Sequence, residues 1–181
     1  MTTLTQLDGT YVIDPVHSQL GFVARHAMVT KVRGSFTEWQ GQASTRPGLD
    51  DAQIELTAQM ASIDTRNADR DGHLKTGDFF AVEEHPTLTF RSTSVEAADE
   101  DSLRVTGDLT IKGVTKPVTI DFEYQGAAKD PFGNERIGFE GATTINRQDF
   151  GITFNAALET GGVLVSDKIQ LELEVSAIKQ A

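Results

Sequence analysis

The chain contains no cysteine. Disulfide staples, thiolate metal ligands and thiol nucleophiles are thereby excluded. Positive charge is scarce as well: 16 Lys and Arg stand against 27 Asp and Glu, a formal net charge of −11. Holding a phosphate backbone takes a concentrated basic surface, so nucleic acid is not an expected partner, and attraction to an anionic bilayer is disfavoured too. Met1 to Thr10 is polar and offers no apolar run long enough for a signal peptide or a membrane span, which makes the cytoplasm the expected location and stable membrane insertion unexpected. The histidines, His17, His26, His73 and His85, are scattered without metal-site spacing, and no glycine-rich phosphate loop is present. No metal, no required cofactor and no catalytic residue are expected.

What the chain does have is alternation. In the run from Leu103 to Tyr124, Leu103, Val105, Leu109 and Ile111 share one parity, and Val118, Ile120, Phe122 and Tyr124 share another, around a Gly/Pro-containing turn. That is the pattern of two antiparallel strands with one buried face. The same beat runs through Leu20, Phe22, Ala24 and His26, through Val32 to Gln42 with a bend expected near Glu38, and through Ile54 to Met60. It returns at Thr87 to Val95, Ile137 to Ile145 and Ile169 to Ala177. Between Ser62 and Pro86 it breaks, and Asp64 to Lys75 reads as a short helix capped by Asp64 or Thr65. The expected fold is an all-β, extended antiparallel barrel of eight strands with a short helical insertion. One domain over residues 10–181 follows a flexible segment over residues 1–9.

Alternation reports sidedness, not closure, so a sandwich gives nearly the same pattern. Ala24, Ala58, Gly107 and Gly141 fall at inward positions. In a filled barrel they offset bulky neighbours; in a hollow one they widen the interior. By parity, Phe22, Phe36, Met60, Phe90, Phe122, Phe139 and Leu171 are the candidate walls of such an interior. His26 shares the parity of the apolar strip, while Arg70 and His73, three apart on the short helix, are placed to converge toward the sheet. Arg147 stands at a strand end beside Asp149.

Several motifs occur in order: His17-Ser-x-Leu-x-Phe22 with His26, Asp64-Thr-x-Asn-x-x-Arg-Asp-x-His-Leu74, Asp78-Phe79 and His85-Pro86. Gly107-Asp-Leu-Thr-Ile-x-Gly-Val-Thr-Lys-Pro-Val118, Asp130-Pro131, Arg136-x-Gly-Phe139 and Arg147-x-Asp-Phe-Gly151 complete the set. The ordered set resembles the YceI-like, or polyisoprenoid-binding, family over almost the whole chain. The resemblance implies a lipocalin-like barrel with a long amphiphile in an internal tunnel, of the polyisoprenoid, isoprenoid quinone or fatty amide class, with His26, Arg70, His73 and Arg147 as the candidates to meet its polar head group. It also implies a non-catalytic role in binding, storage or transport, and a homodimer. Two alternatives stay open at this point: an enzyme acting on an isoprenoid-like substrate, and an interaction module with a filled barrel.

Overall fold

In a computed structural model describing residues 2–181, eleven strands form one continuous antiparallel sheet. They are β1 (Gly9–Ile13), β2 (Gln19–His26), β3 (Thr30–Phe36), β4 (Trp39–Arg46), β5 (Asp50–Gln59), β6 (Ile63–Asp64), β7 (Thr87–Ala97), β8 (Ser102–Ile111), β9 (Val114–Lys129), β10 (Glu135–Asn146) and β11 (Lys168–Lys179). One α-helix, α1 (Ala68–Leu74), interrupts them. Six of the strands are halves of three longer rungs. β1 and β2 are separated by the 3-10 turn Pro15–His17, β3 and β4 by Thr37 and Glu38, and β5 and β6 by the 3-10 turn Met60–Ser62. Counted that way, eight rungs follow one another up and down and close, because β11 pairs with β10 on one side and with β1 and β2 on the other. The barrel is eight-stranded, as the alternation predicts, and the bend foreseen near Glu38 is present.

The three interruptions lie side by side and form a belt around part of the wall. Each has a local cause. Pro15 lacks an N–H and starts a turn capped by Asp14, whose carboxylate accepts from the Val16 amide at 3.0 Å. Opposite it, Ser18 stands in for the missing ladder: its hydroxyl donates to the Ser176 carbonyl at 3.2 Å and accepts from the Ser176 amide at 2.9 Å. The Thr37 amide donates to the Ser62 carbonyl at 3.2 Å, and the Gln59 amide to the Glu38 carbonyl at 2.9 Å, so the two neighbouring breaks satisfy each other.

Three phenyl rings lie on glycines of the adjacent strand. A Cβ at Gly34 would collide with the ring of Phe22, one at Gly107 with that of Phe90, and one at Gly141 with that of Phe122. Both readings of the small inward residues therefore hold in part. Each glycine makes room for a ring, and the ring lies against the wall instead of projecting into the lumen. Trp39, which a straight strand would turn outward, is buried because the bend at Thr37 and Glu38 resets its parity.

Two features differ from expectation. The helix cap is Asn67, whose side chain accepts from the Arg70 amide at 2.9 Å, in place of Asp64 or Thr65. Residues 4–7, inside the stretch expected to be a loose lead-in, form a 3-10 turn that sets Leu4 and Leu7 into the core. Tyr124 fixes this segment by donating to the Thr2 carbonyl at 2.8 Å.

At the same end of the barrel Arg136 ties three elements together. It donates to Asp14 at 2.8 Å, to Asp130 at 2.8 Å and to the Ser176 hydroxyl at 3.2 Å. The bond from Arg136, with a second from His17, lowers the Asp14 carboxyl from its ordinary 3.8 to about 2, and Arg136 lowers Asp130 as well. Both carboxylates are more acidic folded than unfolded. Their contribution is therefore complete above about pH 4 and is lost as pH falls toward 2. We expect urea unfolding to show wild type more stable than Arg136→Gln at pH 7, with the gap closing below about pH 4; a gap independent of pH would contradict the assignment. Gly141→Ala is expected to lower stability by about 1–3 kcal/mol through overpacking against Phe122. An unchanged urea midpoint would show that the ring has room to move.

Candidate functional site

The lower half of the barrel, from the belt of bends to the turn at Leu4, encloses an apolar cavity of about 150 Å³. Phe36, Phe90, Phe122, Phe139 and Leu171, five of the seven expected wall residues, line it. Leu20, Leu56, Leu103, Val105, Leu109, Val118, Ile120, Ile137, Leu173 and Val175 complete most of its circumference. At the base, Leu4, Leu7 and Leu49 form the stopper. The alternating strands put these side chains on one face, and closure turns that face inward.

Phe22 and Met60 do not line the cavity. Phe22 lies over Gly34 with its ring 5.9 Å from Phe36, and Met60 is fully buried in the 3-10 turn that ends β5. Phe22 stands opposite Leu171, which does line the cavity, but its ring is laid over Gly34. Phe79, from the excursion between β6 and β7, and Phe150, Ile152 and Phe154, from the connection between β10 and β11, pack against the same core.

The four expected head-group residues do not converge on the cavity. His26 is exposed at the end of β2, where the strand has run past the rim and its backbone bridges to Val165. Arg70 turns back on the segment leading into its helix, donating to the Thr65 hydroxyl at 2.8 Å and the Thr65 carbonyl at 2.7 Å. His73 does not meet Arg70. Its Nε2 lies 2.8 Å from Asp78, and its ring stands edge-on to Phe79 and Phe154 at 5.1 and 5.0 Å. Arg147 is buried and donates to the carbonyls of Ile152 at 2.7 Å, Phe154 at 2.9 Å, Ser166 at 2.9 Å and Val165 at 3.4 Å. Its charged neighbour is Asp167 at 3.5 Å, not the adjacent Asp149. Burial pulls the Arg147 pKa down, and Asp167 opposes that shift. Arg147 is thus a clamp on the connection between β10 and β11.

Among the described residues no group of three or more His, Cys, Asp or Glu side chains is placed to hold a metal ion, and no helix is long and apolar enough to cross a membrane. One cation that parity could have found was passed over. Lys116 lies two residues before Val118 on the strand whose inward face is Val118, Ile120 and Phe122.

Residues 11–177 match the YceI-like domain. A UPF0312 protein of Staphylococcus aureus is 40% identical over 166 residues, covering 90% of this chain and 93% of that protein. A Campylobacter jejuni YCEI protein of known crystal structure is 33% identical, with a TM-score of 0.75 over 87% of this chain and 90% of its own. A polyisoprenoid binding domain from Saccharophagus degradans, implicated in plant cell wall breakdown, shares the fold with a TM-score of 0.71 over 94% of this chain and 98% of its own, at 17% identity.

Arg147→Lys keeps the charge but offers one compact donor where four carbonyls are now bonded. We expect it to cost about 3 kcal/mol and to raise amide exchange over residues 152–166 ahead of global unfolding. Wild-type exchange across that loop would remove the clamp assignment.

Proposed function

The chain belongs to the YceI-like domain family, and from that membership and its dry interior we propose that it binds a long apolar chain inside the barrel, as a carrier or store without catalytic turnover. The observation that carries the reading is the pairing of a closed wall with an apolar, unfilled lower half. Protein interiors are ordinarily close-packed, and an apolar space that water does not stabilise is suited to an apolar guest. The fold neighbour from Saccharophagus degradans is a polyisoprenoid binding domain. That supports an isoprenoid, or a chain of similar section such as an isoprenoid quinone or fatty amide, as the ligand class.

Size sharpens the proposal. A cavity of about 150 Å³ takes a benzene-sized guest, whereas pockets for larger ligands run to about 300–1,000 Å³. A long chain therefore enters by displacing side chains of the lining. Each buried methylene contributes about 0.8 kcal/mol, so a fifteen-carbon chain supplies on the order of 12 kcal/mol gross. Association losses are about 4–15 kcal/mol. A preformed dry wall is what leaves a net affinity.

Binding is favoured over turnover because Arg70, His73 and Arg147, the polar groups nearest the upper core, are engaged with the scaffold. Organic extraction of the purified protein followed by mass spectrometry is expected to release a chain of roughly ten or more carbons in a defined ratio to protein. Val105→Trp, which places an indole at a fully buried wall position, is expected to abolish that recovery. Chemical conversion of the added chain on prolonged incubation, or failure of the wild-type protein to retain any apolar chain, would overturn the reading.

A further inference from the structure

The ladder between β9 and β10 stops at Ala142 opposite Asp121. Beyond that point, among the described residues, Thr143 to Asn146 pair only with β11 and Val114 to Ile120 only with β8. The wall is slit over this stretch, and the Thr143 hydroxyl reaches across it to the Thr119 carbonyl at 2.9 Å. Pro117 withholds a donor at the far end of the gap. The two-residue turn Lys112-Gly113, with φ of 52° and 75°, makes Ile111 and Val114 a bonded pair. Alternation then turns the nitrogen of Pro117, opposite Asp108, toward β10, where it has no hydrogen to donate.

A crevice of about 490 Å³ lies over the slit. Val118 lines both this crevice and the internal cavity, so one side chain separates the two. Two lysines, Lys116 and Lys168, and one carboxylate, Asp149, line the crevice. Neither lysine forms an ion pair among the described residues. Lys116 stands opposite the buried Leu109, which places it on the inward face of β9, about 7 Å along the strand from Val118. A lysine there lays its stem along the apolar wall and keeps its ammonium at the mouth.

Resting on the reading that an apolar chain occupies the barrel, we propose that the slit between β9 and β10 is the head-group site, that the head it selects is anionic, and that Lys116 is the residue that holds it. The chain runs from the slit past Val118 into the lower half. The crevice carries two positive charges against one negative on a protein of net charge −11. It is thus a local exception that repels cations and accepts a carboxylate or phosphate through charge-assisted hydrogen bonds.

The test is calorimetric titration of the full chain, freed of bound lipid, with farnesyl phosphate, farnesol, palmitate and palmitamide. Wild type is expected to bind at least one anion about tenfold or more tightly than its neutral counterpart. A preference confined to the farnesyl pair identifies a phosphate head, and one confined to the palmitoyl pair a carboxylate. Lys116→Ala is expected to erase the preference while leaving the neutral ligands within about twofold, and Lys116→Arg to retain it. Equal binding of anion and neutral partner by wild type, or a preference that survives in Lys116→Ala, overturns the head-group assignment and leaves the carrier reading standing. Failure of all four to bind overturns the carrier reading itself.

Discussion

The architecture depends on where Phe22, Phe36, Phe90, Phe122 and Phe139 put their rings in a wall of only eight rungs. Pointed at the axis, they would fill a barrel of this section. Phe22, Phe90 and Phe122 instead lie on Gly34, Gly107 and Gly141 of the neighbouring strand. Each ring thus buries its face against backbone and thickens the wall. The arrangement compensates the glycines, which alone weaken a strand, and it keeps the lumen of the lower half open. Phe79, Phe150 and Phe154 arrive from connections, not strands, and pack against the same core.

Much of this was legible in the residue order. Period-two alternation located all eight rungs, because each has one dry face, and Phe36, Phe90, Phe122, Phe139 and Leu171 followed from parity. Phe22 and Met60 shared that parity yet missed the cavity. Parity says which side a residue faces, not where its side chain is diverted: the ring of Phe22 lies over Gly34, and Met60 is taken up in a 3-10 turn. The bends are set by hydrogen bonds between distant segments, such as Ser18 with Ser176, that no local pattern announces. The cations misled for a related reason. Arg70 and Arg147 look like ligand-binding groups in a list of residues, and only the fold shows that backbone carbonyls already occupy them. Lys116 was the reverse case, a residue whose inward parity was visible but whose neighbours in the motif drew attention to the turn.

Electrostatically the molecule separates three environments. The outer strand faces are acidic, with Asp121, Glu123, Glu140, Glu172 and Glu174 lining one broad concavity. The lower interior is apolar. The crevice at the slit holds unpaired lysines. A negative exterior repels anions over most of the surface, while attraction for an anion is confined to one place. The Arg136 network reinforces the opposite end, joining β10, β11 and the β1–β2 turn beside the strands that carry the stopper.

The closure of the barrel by β11 bears on how the molecule is made. β11 is the last strand in the chain, yet it forms the seam with β1 and β2, the first. Until it docks, β1 and β10 present unpaired edges, and the apolar face meant for the lumen is open to water and to other chains. Folding by distant pairings of this kind is slow and leaves such edges available for misassembly. Docking of β11 is therefore the single event that both pairs these edges and takes the apolar face out of water.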